Sequence, residues 1–177
     1  MNFNNVKRNR TSILILTIGI PGSGKSTWVK QYMRTHPLTY VVSTDDLRKE
    51  LTGVEQCVNP NQNTMIHDEA RKRVESILKD PNSRGGLGPE IIVDSTNVDC
   101  EEWLKYKRLG ATIMIAKLFD VTPQQAMKNQ LTRDRQVPLH IVQDKWYTLK
   151  QNKRYMPLYF NMIDIVVFTP PFPTSEI

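Results

Sequence analysis

Nine residues, Gly19-Ile20-Pro21-Gly22-Ser23-Gly24-Lys25-Ser26-Thr27, constrain this chain more than any other stretch. They fit the pattern G-x-x-x-x-G-K-[ST], in which glycine-freed backbone N–H groups cradle phosphates. Before them runs Ile13-Leu14-Ile15-Leu16-Thr17-Ile18, a continuous apolar, β-branched segment that reads as a strand buried on both faces. After them Trp28 to Arg34 continues as a helix, whose N-terminus aims its dipole and unpaired N–H groups at an anion. Strand, loop and helix together predict a nucleoside triphosphate site. Gly22, Ser23, Gly24, Lys25, Ser26 and Thr27 form the cradle, Lys25 reaches the outer phosphates, and the Ser26 hydroxyl holds Mg²⁺.

The remainder alternates strands with helices. Thr39–Ser43, Glu90–Asp94, Ile113–Phe119 and Ile163–Phe168 read as further strands. Between them, helices are expected from Thr44 to Leu51, Asn63 to Lys79, Asp99 to before Gly110, Pro123 to about Gln130 and Pro138 to Gln151. Ile66, Ala70, Val74, Ile77 and Leu78 form the buried stripe of the second of these. Asp99 and Thr122 are expected N-caps and Gly110 a helix stop. Five strands alternating with helices imply an α/β domain: a five-stranded parallel sheet covered by helices on both faces. At 177 residues this is one domain. It is expected over residues 12–168, with a loose basic arm at 1–11, a lid around 128–138 and a proline-rich tail at 169–177.

Composition narrows the partners. A net charge of +6 favours an acidic one such as nucleic acid or nucleotide. Cys57 and Cys100 match no metal or redox spacing and read as reduced thiols. The scattered histidines speak against zinc, and His67 reads as a helix-surface residue. No stretch approaches the ~20 apolar residues of a membrane span, so a cytoplasmic protein is expected.

In parallel sheets, ligands gather at the carboxyl ends of the strands. Asp45 and Asp46 follow the second strand and Asp94 closes the third, at the same edge as the phosphate loop. Phosphoryl transfer to an alcohol needs a phosphate cradle, a metal, a carboxylate to take the proton, and cations on the transferring oxygens. Asp45 is the candidate base, with Arg48 one helical turn on. Helix capping by Thr44 or Asp45 accounts equally well for this spacing. Asp94 is the candidate to order Mg²⁺, against a simpler role in the turn Ser95-Thr96-Asn97. Lys128, Arg133 and Arg135 supply the lid cations.

The series Thr17 to Trp28, Asp45-Asp46-Leu47-Arg48, Thr96-Asn97 and Val137-Pro138 resembles the kinase domain of bacteriophage polynucleotide 5′-kinases. These are P-loop kinases related to adenylate kinase, and the resemblance runs from about Ile13 to Leu149. It implies that Lys25 and Ser26 or Thr27 bind ATP and that Asp45 activates a 5′-hydroxyl. Arg48 would contact the phosphate next to the acceptor nucleotide, and a lid arginine the donor phosphates. The family's lid arginine position falls on Thr132, which leaves Arg133 beside it and Arg135 at a second, commonly basic position. No D-x-D-G motif is present, so kinase activity without a phosphatase is expected.

The expected activity is therefore ATP- and Mg²⁺-dependent phosphorylation of a 5′ end of DNA or RNA. A kinase for another hydroxyl (a modified base in DNA, a nucleoside, a small metabolite) uses the same parts. An ATP-dependent switch needs the cradle without the Asp45–Arg48 pair.

Overall fold

A computed structural model describes residues 10–54, 60–131 and 136–166. The strands are β1 (Ile13–Ile18), β2 (Tyr40–Ser43), β3 (Glu90–Asp94), β4 (Ile113–Phe119) and β5 (Met162–Val166). The helices are α1 (Lys25–Thr35), α2 (Thr44–Thr52), α3 (Pro60–Lys79), α4 (Cys100–Lys107), α5 (Pro123–Gln130), α6 (Leu139–Asn152) and the single turn α7 (Met156–Tyr159). Every strand pair is parallel, in the order β2-β3-β1-β4-β5, as the alternation of strand and helix requires. From β1 the chain runs out to one side and later returns to the other. The carboxyl end of β1 is therefore the switch point at which such sheets leave a crevice.

Alternation along β1 sorts the core. Leu14, Leu16 and Ile18 pack with Ile66, Ala70 and Val74 of α3, Trp103 and Tyr106 of α4, and Leu149 of α6. Ile13 and Ile15 face the other way, against Trp28, Val29 and Tyr32 of α1. A smaller cluster of Ile20, Val121, Ala126 and Val142 ties the phosphate loop to α5 and α6. The expected punctuation recurs in space. The Asp99 side chain accepts from Glu101 N, Thr122 accepts from Gln125 N, and Gly110 takes a positive φ of 78° just past α4.

Several boundaries differ from expectation. The fifth strand begins one residue earlier, at Met162, while residues 167 and 168 and the proline-rich tail lie outside the described residues. The Asp80–Pro89 loop contains a 3-10 turn, Ser83–Gly86. Of the basic arm, residues 1–9 lie outside the described residues; the Arg10 guanidinium donates to Asp80 O and Ser83 Oγ, which fixes it against that loop.

The turn after β3 is held from within. Asn97 sits in the left-handed region at φ 45°, and its amide donates to Thr17 O at 2.9 Å and Val93 O at 3.3 Å. Trp103 Nε1 donates to Asn97 O at 2.6 Å, and the Thr17 hydroxyl donates toward Val93 O and Ser95 O. Asn97→Ala leaves buried carbonyls unmatched and puts a side chain without a local hydrogen bond into a left-handed backbone. A loss of about 2–4 kcal/mol is expected, on the order of 10 °C in Tm by thermal unfolding. A change under 2 °C would contradict this account of the turn.

Candidate active site

The glycine pattern of the loop answers two separate demands. Gly22 has φ 83°, and a Cβ there would stand 2.3 Å from the Ala126 carbonyl oxygen, so α5 packs directly on the loop backbone. Gly24 has φ 94° and open space around its Cβ position; it turns the chain into α1 without a side-chain cap. Lys25, the first residue of α1, is buried, and its ammonium donates to Gly19 O and Ile20 O at 2.9 Å and to Ser23 Oγ at 3.3 Å. The sequence alone thus brings a cation to the centre of a ring of backbone groups.

A cavity of about 610 Å³ opens above the loop. Gly22, Gly24, Lys25 and Ser26 of the loop and first helical turn line it, together with Asp45, Asp46 and Arg48 of α2 and Asp94 at the end of β3. Five of the expected site residues, Lys25, Ser26, Asp45, Arg48 and Asp94, therefore converge with Gly22 and Gly24. Ser23 is buried beneath them as a Lys25 partner, while Thr27 is exposed and not in the cavity wall. Arg133 and Arg135, like Thr132, lie outside the described residues.

The capping alternative for Asp45 does not hold. The N-cap of α2 is Ser43, whose hydroxyl accepts from Asp46 N at 3.2 Å. Asp45 falls in the first turn instead, its side chain 62% exposed, and it lines the cavity. Arg48 is 5% exposed and donates from Nη1 to Asp45 Oδ1 at 2.6 Å and from Nη2 to Asn63 Oδ1 at 3.2 Å. The buried guanidinium holds the exposed carboxylate in place.

Asp94 is half-buried beside Ser26. Burial pushes its carboxyl pKa up and the Asp45 and Asp46 charges add to this, while a hydrogen bond from Ser26 and the Lys25 charge pull it down. An all-oxygen pair in a locally acidic field suits a hard divalent cation, since Mg²⁺ takes one or two carboxylates and completes its shell with phosphates and water. Ser26 and Asp94 are the residues that fit it.

Three contributors were not legible in the sequence. Asn129 Nδ2 donates to Gly22 O at 2.9 Å, which ties α5 to the loop. Gln130 is buried, and its side-chain oxygen accepts from Val137 N at 2.7 Å, drawing together the two ends of the expected lid. His67 is not a surface residue: it lines the cavity, with its side chain 20% exposed. Burial lowers its pKa; the Glu102 charge pulls it up, and the Arg71, Lys145 and Arg48 charges pull it down. A pair of polar residues at the end of α5 was the one available signal for Asn129 and Gln130.

A family profile described as an AAA domain matches residues 14–153. Among solved structures, a chain of a Pnkp1/Rnl/Hen1 RNA repair complex superposes with a TM-score of 0.68 at 21% identity, covering 88% of this chain and 49% of that one. A chain of a second structure, of a Pnkp1/Rnl/Hen1 complex, gives 0.56 at 24% identity, covering 75% and 44%. A gluconokinase from Sinorhizobium meliloti 1021 gives 0.62 at 14% identity, covering 92% and 86%. The chain spans about half the length of the repair-complex chains it matches. At these identities the likeness shows a shared fold, that of the P-loop kinases. Among the described residues no helix is long and apolar enough to cross a membrane.

Proposed function

The chain belongs to the AAA domain family, and from that premise we propose that it is an ATP- and Mg²⁺-dependent kinase phosphorylating the 5′-hydroxyl of DNA or RNA. The observation that carries this reading is the Asp45–Arg48 pair, 2.6 Å apart, lining one cavity with Lys25 and Ser26 of the phosphate-binding motif. A switch protein has no use for a carboxylate held there by a buried cation. The net charge of +6 and the resemblance to phage polynucleotide kinases support a nucleic-acid acceptor, and the likeness to a repair-complex chain agrees with it. A cytoplasmic setting accompanies this reading, as two thiols without a metal or redox spacing suit a reducing compartment.

ATP supplies the γ-phosphoryl group and Mg²⁺ neutralises its charge. The chain's own residues do the rest. The loop N–H groups and Lys25 hold the donor phosphates, with Lys25 exchanging carbonyl acceptors for phosphate oxygens. Ser26 and Asp94 would hold the metal. Asp45 takes the proton of the acceptor hydroxyl as its oxygen bonds to phosphorus and the β–γ bridging bond breaks, releasing ADP. Arg48 keeps the Asp45 carboxylate aimed and meets the phosphate 3′ to the acceptor nucleotide. Arg133 or Arg135 from the lid stabilises the transferring oxygens.

A kinase for a small hydroxylated metabolite is the second reading, favoured by the gluconokinase likeness over 86% of that chain. Transfer of labelled γ-phosphate separates the two. The acceptors are 5′-hydroxyl DNA and RNA oligonucleotides, 3′-nucleotides, nucleosides, DNA with hydroxymethylated bases, and gluconate. Label is expected at oligonucleotide 5′ ends. Label confined to gluconate or nucleosides would favour the second reading, and none on any acceptor would overturn the kinase assignment.

A further inference from the structure

A second cavity, about 260 Å³, adjoins the first and shares Asn63, His67, Thr96 and Lys145 with it. Asn63, His67 and Arg71 all line it and recur every four residues along α3, so they stand in one row about 6 Å apart. The row begins at the Arg48 contact, since Arg48 Nη2 donates to Asn63, and leads away from the phosphate loop.

The row is polar and basic. Arg71, Lys105 and Lys145 face the cavity against the carboxylates Asp99 and Glu102. Arg71 and Lys105 are both held by Glu102. Lys145, on α6, differs: it lines both cavities, and no hydrogen bond or ion pair joins it to any of the described residues. Beside it the buried Nδ1 of His67 has no hydrogen bond, and the Glu102 carboxylate lies 3.9 Å away. A half-buried ammonium and an imidazole nitrogen, neither of them hydrogen-bonded to any of the described residues, form at the junction of two cavities a polar pair that an anion would complete.

We propose that this junction is the subsite for the second phosphate of the acceptor strand, one nucleotide beyond the phosphate at Arg48, with Lys145 as its principal cation. It rests on the polynucleotide reading above and gives that reading a reason. Spacing along α3 comparable to the step between phosphates of an extended strand, with Arg71 lining the second cavity alone, favours a chain of nucleotides over a compact metabolite.

The test compares two 5′-hydroxyl acceptors of the same base, a 3′-mononucleotide and a dinucleotide 3′-phosphate, which differ by one nucleotide and one phosphate. In the native protein the second phosphate is expected to raise kcat/KM about tenfold or more, chiefly through KM. That gain falls below about twofold in Lys145→Gln and returns in Lys145→Arg. It also weakens with salt, the logarithmic slope steepening by about 0.7 for one added contact; this measurement needs no variant. Equal kcat/KM for the two acceptors, or a gain that survives Lys145→Gln, overturns the subsite while leaving the kinase intact. Failure to phosphorylate either acceptor overturns the subsite and the polynucleotide reading together.

Discussion

Asp45→Asn is expected to lower phosphoryl transfer about 10²–10⁴-fold while ATP affinity stays within about twofold. The argument for selectivity is geometric. Asp45 stands on α2, an element separate from the phosphate loop and α1, so the substitution leaves the loop's own residues unchanged. An amide oxygen still accepts from Arg48 Nη1, so the buried guanidinium keeps a partner and α2 keeps its Ser43 cap. What is lost is the capacity to take a proton. Single-turnover rates with saturating acceptor, beside ATP titration by calorimetry, measure both halves. A rate within about fivefold of the native protein, with ATP affinity intact, would remove Asp45 from the role of base.

The sheet was readable because its strands are continuous runs such as Ile13–Ile18 and Glu90–Asp94, which only a sheet covered on both faces accommodates. The phosphate loop was readable because glycine spacing has a local meaning. The remaining features are questions of place. Ser43, Thr44 and Asp45 are three consecutive cap formers, and sequence does not say which of them leaves the strand; pairing of Ser43 with Asp94 in the β2–β3 ladder decides it. His67 and Arg71 follow Ile66 and Ala70 of the buried stripe by one residue, so they occupy its flank. A flank meets water on an isolated helix, but here α4 and α6 stand opposite it and make a cavity wall. Lys145 and Gln130 acquire meaning only through that long-range assembly.

Gly22→Ala is expected to abolish measurable ATP binding, a loss of at least about 100-fold, and to destabilise the fold by about 2–5 kcal/mol. Two effects add. A φ of 83° disfavours any side chain, and the new methyl would stand 2.3 Å from Ala126 O and 3.0 Å from Gln130 Cγ. The first contact is with helix backbone, which yields only if α5 moves as a body. Movement of α5 would break the Asn129–Gly22 hydrogen bond and shift Gln130, whose side chain accepts from Val137 N. The loop and the Gln130–Val137 contact would be displaced together. Gly24→Ala isolates the backbone effect, because its φ of 94° carries a similar penalty while its Cβ position is open. Stability by thermal unfolding and ATP binding by calorimetry should therefore rank native above Gly24→Ala above Gly22→Ala. If the two variants lose equal stability, the close packing of α5 on the loop is not what demands glycine at position 22, and the coupling of the loop to the Gln130–Val137 contact through α5 falls with it.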